Sequence, residues 1–187
     1  MLVILSGVSG SGKDTVKAEL LNRINNLTTI KAYTTREPRD EDEDLSRYFF
    51  VSKEEFQDLI SGERLYEYSE HHNNFYGTSK NELDRNISEG KIVIKDIDVN
   101  GTKDLIDVFR EGLKVVPIYL KVEKDELYKR IINRGATKEE ADLRLSRFEY
   151  EESFIPIYDY VVYNDNLEKT VNIIEKIILE EYKLSKE

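Results

Sequence analysis

Gly7-Val8-Ser9-Gly10-Ser11-Gly12-Lys13 is the stretch whose reading decides the fold. It follows the apolar run Leu2-Val3-Ile4-Leu5. After it, Val16, Leu20 and Ile24 recur every four residues, the spacing of one helix face. Strand, glycine-rich loop and helix in that order are the setting of a P-loop. The glycines let the backbone curl until several N–H groups point at one anion. The helix adds the positive end of its dipole. Lys13 adds a flexible point charge for β- and γ-phosphates. The common motif follows the lysine with a Ser or Thr that ligates Mg²⁺. Here Asp14 holds that position and Thr15 comes one later, so Thr15 is a candidate for a phosphate oxygen. Asp14 either approaches Mg²⁺ through water or opens the helix as a favourable acid; the second is preferred, because acids are common in first turns.

Working outward, strand and helix signals alternate along the chain, which predicts an α/β fold on a parallel sheet. Thr28 to Thr35 reads as one extended segment. Beyond it, Arg36 and Arg39 flank Pro38 on an irregular, exposed stretch. The acids Asp40 to Asp44 form a solvated loop, since like charges repel and stay wet. Tyr48 to Val51 is a strand. Ser52 with Glu55 makes a capping box for a helix that turns Phe56, Leu59 and Ile60 inward and stops at Gly62. Arg64 to Ser69 sets Leu65 and Glu67 against Tyr66 and Tyr68, as a two-faced strand would. Phe75-Tyr76-Gly77-Thr78 returns after a turn at His71-His72. Those histidines lack the third ligand a metal would need. Residues 32 to 81 are thus a small β-rich insertion.

Ser79 and Glu82 suggest a second capping box. Lys91 to Ile97 is a buried parallel strand around Ile92-Val93-Ile94, and Asp96 and Asp98 sit at its carboxyl end, where ligands bind in open α/β sheets. Val115 to Leu120 is a further strand, and Pro117 suggests an edge or irregular position for it. Asp125 to Arg134 is helical, with Arg130 and Arg134 a turn apart. Gly135 breaks it, and Thr137 with Glu140 caps the next helix, which carries Arg144 and Arg147. Tyr160 to Tyr163 is a last strand. Val171, Ile174 and Ile178 line a final helix.

Composition narrows the partners. The chain has 187 residues, enough for one buried core. Charged residues make up 35% and the formal net charge is −10, which argues against non-specific nucleic-acid binding. An anionic substrate must then be met by locally clustered Arg and Lys. There are no cysteines, so disulfides and thiolate metal sites are excluded. No apolar run reaches transmembrane length, and Met1 leads straight into a strand. The expected location is the cytoplasm, with no membrane partner.

The ordered set Gly7–Lys13, Thr34-Thr35-Arg36-Glu37-Pro38-Arg39, Phe75–Thr78, Asp96-Ile97-Asp98-Val99 and Arg134-Gly135 resembles guanylate kinase. The likeness extends to Tyr158-Asp159-Tyr160 and Asn164-Asp165. It implies a P-loop NTPase-type doubly wound core (1–31, 82–124 and 157–187), a GMP-binding insertion (32–81) and a helical lid (125–156). It also implies transfer of the ATP γ-phosphoryl group to GMP with Mg²⁺, by a monomer or homodimer. Gly7, Val8, Ser9, Gly10, Ser11, Gly12, Lys13, Asp14 and Thr15 would bind ATP. Arg36, Arg39, Tyr48 and Tyr76 would hold the GMP phosphate, while Glu67, Thr78 and Asp98 read the base. Asp96 would lie near Mg²⁺ through water. Lys13, Arg36, Arg130, Arg134 and Arg144 would carry catalytic charge, with Arg147 left on a solvated helix face.

The sequence departs from the family pattern in three places. Ala32 stands where the family usually has a guanine-contacting serine. Asp40 to Asp44 replace a glycine-bearing loop, and the lid segment Gly135 to Lys138 is one residue short. These leave two other readings open: a related phosphokinase with another nucleotide or a sugar phosphate as acceptor, and a non-catalytic guanylate-kinase-like scaffold. The intact phosphate loop speaks against the scaffold.

Overall fold

The computed structural model describes residues 1–38, 48–71 and 73–186, without the side chain of His71. Arg39, the acidic run Asp40 to Asp44 and His72 therefore lie outside the described residues. The chain opens with β1 (Leu2–Ser6), every residue of it buried, and passes through the glycine loop into α1 (Lys13–Arg23). Val16 and Leu20 are buried on α1, and Ile24 caps it.

The extended segment predicted from Thr28 to Thr35 is two strands. β2 (Leu27–Thr28) pairs in the main sheet, whereas β3 (Ala32–Thr34) belongs to a second sheet. Alternation alone could not separate them, because both halves are extended and the change of sheet is a tertiary event. β4 (Tyr48–Phe50) lies parallel to β3. α2 (Lys53–Ser61) carries the expected Ser52–Glu55 capping box. β5 (Leu65–His71) and β6 (Asn74–Ser79) form an antiparallel pair with a bulge between Leu65 and Tyr68. The second sheet runs β4-β3-β6-β5 among the described residues.

α3 (Lys80–Ser88) begins at Ser79, whose side chain accepts from Glu82 N–H. The reciprocal half of the expected box is missing, since Glu82 pairs with Arg85 at 2.8 Å instead. β7 (Ile92–Asp96) returns to the main sheet, and α4 (Val99–Val108) starts on an Asp98 cap. β8 (Val115–Lys121) is followed by α5 (Lys124–Asn133), then α6 (Lys138–Leu145) with its Thr137–Glu140 box, and α7 (Phe148–Glu152). β9 (Tyr160–Tyr163) and α8 (Leu167–Leu184) close the chain.

The main sheet is parallel with order β2-β7-β1-β8-β9. One face packs on α1 and α8 through Val16, Leu20, Val171, Ile174 and Ile178. The other packs Leu2, Ile4 and Val93 on Leu83 and Leu105 of α3 and α4. Helices on both faces make it doubly wound. β8, expected at an edge or irregular position because of Pro117, is an interior strand. Its pairing with β9 begins only at Ile118–Tyr160. The Pro117 carbonyl accepts from Asp159 N–H, so the missing donor also faces that side, before β9 begins. No ladder bond is lost.

Candidate active site

The carboxyl ends of β1 and β7 open onto a cavity of about 920 Å³ walled by the second sheet on one side and by α6 and α7 on the other. Two kinds of wall meet there.

The first is backbone. Gly10 (φ 87°) and Gly12 (φ 92°) hold the left-handed region that only glycine enters cheaply. A Cβ on Gly12 would stand 2.7 Å from Asn164 Nδ2, and one on Gly10 would stand 3.2 Å from Ile131 Cγ1. The loop is therefore pressed between α5 and the end of β9. Asn164 Nδ2 donates to the Ser11 carbonyl at 2.7 Å. Arg130 in turn donates to the Asn164 carbonyl at 2.8 Å and to Glu126 at 3.1 Å. Lys13 folds back to donate to the Gly7 carbonyl, with Val8 O at 3.4 Å. Burial pushes its ammonium pKa down, opposed by Glu151, Asp96, Asp14 and Asp98.

The second wall is side chain. On β7, Ile92 and Ile94 face α1 and α8, while Val93 faces α3 and α4. Alternation then sends Asp96 toward α1 and Lys95 toward the second sheet. Asp96 accepts from Lys17, one turn past Lys13 on α1. Burial would raise the Asp96 pKa, but Lys17 and Lys95 outweigh it and hold the carboxyl below its usual range. Across the cavity, the β5 bulge turns Glu67 inward, where it is 7% exposed. Thr78 donates to Glu67 Oε1. Burial pushes the Glu67 pKa up, against Lys95 and the Thr78 hydroxyl. Asp98 Oδ1 accepts from Gly101 N–H at 2.8 Å, so it serves both as helix cap and as cavity wall.

The chain is similar to known proteins along most of its length. The guanylate kinase family model matches residues 1–181. The guanylate kinase of Prochlorococcus marinus subsp. pastoris is 39% identical over 178 residues, covering 95% of this chain and 96% of that protein. The chain belongs to the guanylate kinase family. The guanylate kinase of Clostridium tetani is 37% identical over 179 residues, covering 95% of this chain and 85% of that protein. A crystal structure of guanylate kinase from Anaplasma phagocytophilum superposes with a TM-score of 0.72 at 30% identity, over 97% of this chain and 86% of that one.

Against the guanylate-kinase expectations, the cavity brings together Gly7, Ser9, Lys13, Asp14, Tyr48, Glu67, Tyr76, Asp96, Asp98 and Arg144. Thr78 reaches it through Glu67. Arg36 stacks beside it, with its guanidinium 5.5 Å from the Tyr48 ring and 5.6 Å from that of Phe50. Asp14 lies in the first turn of α1, and Thr15 is exposed there away from the wall. Arg130 braces the glycine loop from outside the cavity, and Arg134 is exposed at the end of α5. Arg147, expected to face only solvent, stands on the cavity wall beside Arg144.

Two lining lysines were not legible as site residues. Lys17 reads as an ordinary helical lysine. Lys95 carried a signal that was available, a charge directly after the apolar run Ile92-Val93-Ile94 in a strand read as buried.

Proposed function

We propose that this chain transfers the γ-phosphoryl group of ATP to GMP, giving ADP and GDP, by in-line displacement with Mg²⁺. The observation that carries the reading is the cavity itself: a glycine-loop cradle with Lys13 faces a buried carboxylate, Glu67, across one space. ATP would lay its phosphates on Gly7 to Lys13 with the start of α1, including Asp14 and Thr15. GMP would place its phosphate among Arg36, Arg39, Tyr48 and Tyr76, since guanidiniums bind phosphate oxygens bidentately and phenols donate to them. Glu67, supported by Thr78, accepts from guanine N1–H and the exocyclic amine, a donor pair adenine does not have; Asp98 lies alongside.

Asp96 suits a magnesium ion carried in on the nucleotide. It is ionised and lies on the cavity wall, and Mg²⁺ typically takes one or two carboxylates besides phosphates and water. Among the described residues no group of three or more acids or histidines is placed to hold a metal ion. Asp96 would help to hold that ion, which would supply positive charge against the phosphate oxygens. Lys17 would then release Asp96.

Transfer itself is mainly positioning and charge stabilisation, so no dedicated base is needed. Arg144 and Arg147 from α6 and the adjoining turn meet the γ-phosphoryl group. Arg130 and Arg134 join when the lid (125–156) and the GMP-binding insertion (32–81) close on the core (1–31, 82–124, 157–187) and exclude water. The absence of cysteine fits a cytoplasmic enzyme. Among the described residues no helix is long and apolar enough to cross a membrane.

A γ-phosphoryl group made chiral with oxygen isotopes tests the mechanism. It should arrive on GMP with inverted configuration, and only when Mg²⁺ is supplied. Retention, or transfer surviving chelation, overturns the in-line, Mg²⁺-assisted reading.

A further inference from the structure

Lys95 is a lysine at the carboxyl end of a parallel strand, 7% exposed, with its side chain on the cavity wall. Such a group normally earns its place by an ion pair. Here none is made. Asp96, the nearest acid in sequence, is engaged by Lys17. Glu67 interacts with Lys95 through space and is hydrogen-bonded by Thr78. Among the described residues no acceptor holds the Lys95 ammonium within hydrogen-bonding distance. The buried cation therefore points its donors into the cavity, beside the carboxylate assigned to the base.

The arrangement has a chemical meaning. Guanine's pairing edge runs acceptor, donor, donor: O6, N1–H and the exocyclic amine. A carboxylate satisfies the two donors and leaves O6 facing whatever stands beside it. Ala32, on the β3 wall of the same cavity, has no polar side chain to offer. We propose that Lys95 is a base-reading residue whose ammonium donates to O6 of guanine while Glu67 accepts from N1–H and the amine. Together the two side chains present donor, acceptor, acceptor, the complement of guanine's edge. An adenine would bring an amine against the ammonium and a bare ring nitrogen against the carboxylate, so the same pair rejects it. This inference rests on the reading of the cavity as a GMP site and adds the residue that reads the 6-position.

The experiment compares GMP with 6-thio-GMP, which keeps both donors but replaces O6 by sulfur, a weak acceptor. Binding is measured by calorimetry on the intact protein and on Lys95→Met, a substitution close in shape. The unaltered protein should bind GMP about tenfold more tightly than 6-thio-GMP, the worth of one charge-assisted hydrogen bond. Lys95→Met should weaken GMP, bring the two ligands within about twofold and leave ATP affinity unchanged. Equal binding of the two ligands by the unaltered protein overturns the inference, and that arm needs no variant to fold. A preference that persists in Lys95→Met overturns it as well. Failure of the unaltered protein to bind GMP at all would strike the proposed function instead.

Discussion

The two sides of the cavity are built from different materials. The phosphate side is backbone: a glycine loop shaped by positive φ angles and clamped by Asn164 and Ile131. The base side is made of buried charges, Glu67 and Lys95, carried by strands from two different sheets. A phosphate presents the same oxygens whatever the nucleotide, so N–H groups that cannot change identity suffice there. A base differs from its rivals by one donor or acceptor, and only side chains can encode that difference. Affinity for the donor should therefore respond to backbone changes, and acceptor choice to side-chain changes.

The sharpest way to break that division is Lys13→Ala, which removes the side-chain charge that the glycine loop itself carries. Transfer should fall by about 10³-fold, as on loss of a transition-state charge contact. The melting curve should hold, because among the described residues the lysine bonds only loop carbonyls. Steady-state ADP formation and circular dichroism check both halves.

Glu67→Gln comes next. It should raise the KM for GMP about 100-fold through loss of charge-assisted bonds, with the KM for ATP unchanged. A matching pH dependence follows. Burial raises the Glu67 pKa, so acidification protonates it sooner than an ordinary glutamate and turns one of its two acceptor oxygens into a donor. GMP affinity should therefore drop as pH falls, beginning above the usual 4.5, while ATP affinity holds. In Glu67→Gln that slope should vanish.

Gly12→Ala tests the backbone side. Its left-handed φ and the 2.7 Å approach to Asn164 should cost about 2 kcal/mol, read as a lowered Tm, with a raised KM for ATP and an unchanged KM for GMP. The smallest effect belongs to Thr78→Val. Losing the hydroxyl that supports Glu67 should weaken GMP by about tenfold or less and leave ATP alone. An equal effect of either variant on both substrates would dissolve the division.

The same contrast explains what could be read before the fold was known. The phosphate side is written in one contiguous stretch, Gly7 to Lys13, whose chemistry needs only its own neighbours. Core helices were equally legible, because Val171, Ile174 and Ile178 repeat at the helical period and are fully buried. The base side was not legible from the residues alone. Glu67 reads simply as one polar side of a two-faced strand, and its bulge appears only once β6 pairs with β5. Lys95 is a lone lysine until Glu67 arrives from 28 positions away across two sheets. Pro117 could be read only in part for a related reason: its missing N–H matters only if a partner strand stands opposite, and β9 starts one residue too late. Arg147 likewise needed the turn after α6 to swing it onto the wall.

The most direct test of the account is Mg²⁺- and ATP-dependent ADP formation with GMP, dGMP, AMP, CMP and UMP offered separately. Turnover with GMP, alone or with dGMP, and none with the other three is the predicted result. If ATP binds but no monophosphate is turned over, or if AMP serves as well as GMP, the base-reading wall is not what it is claimed to be.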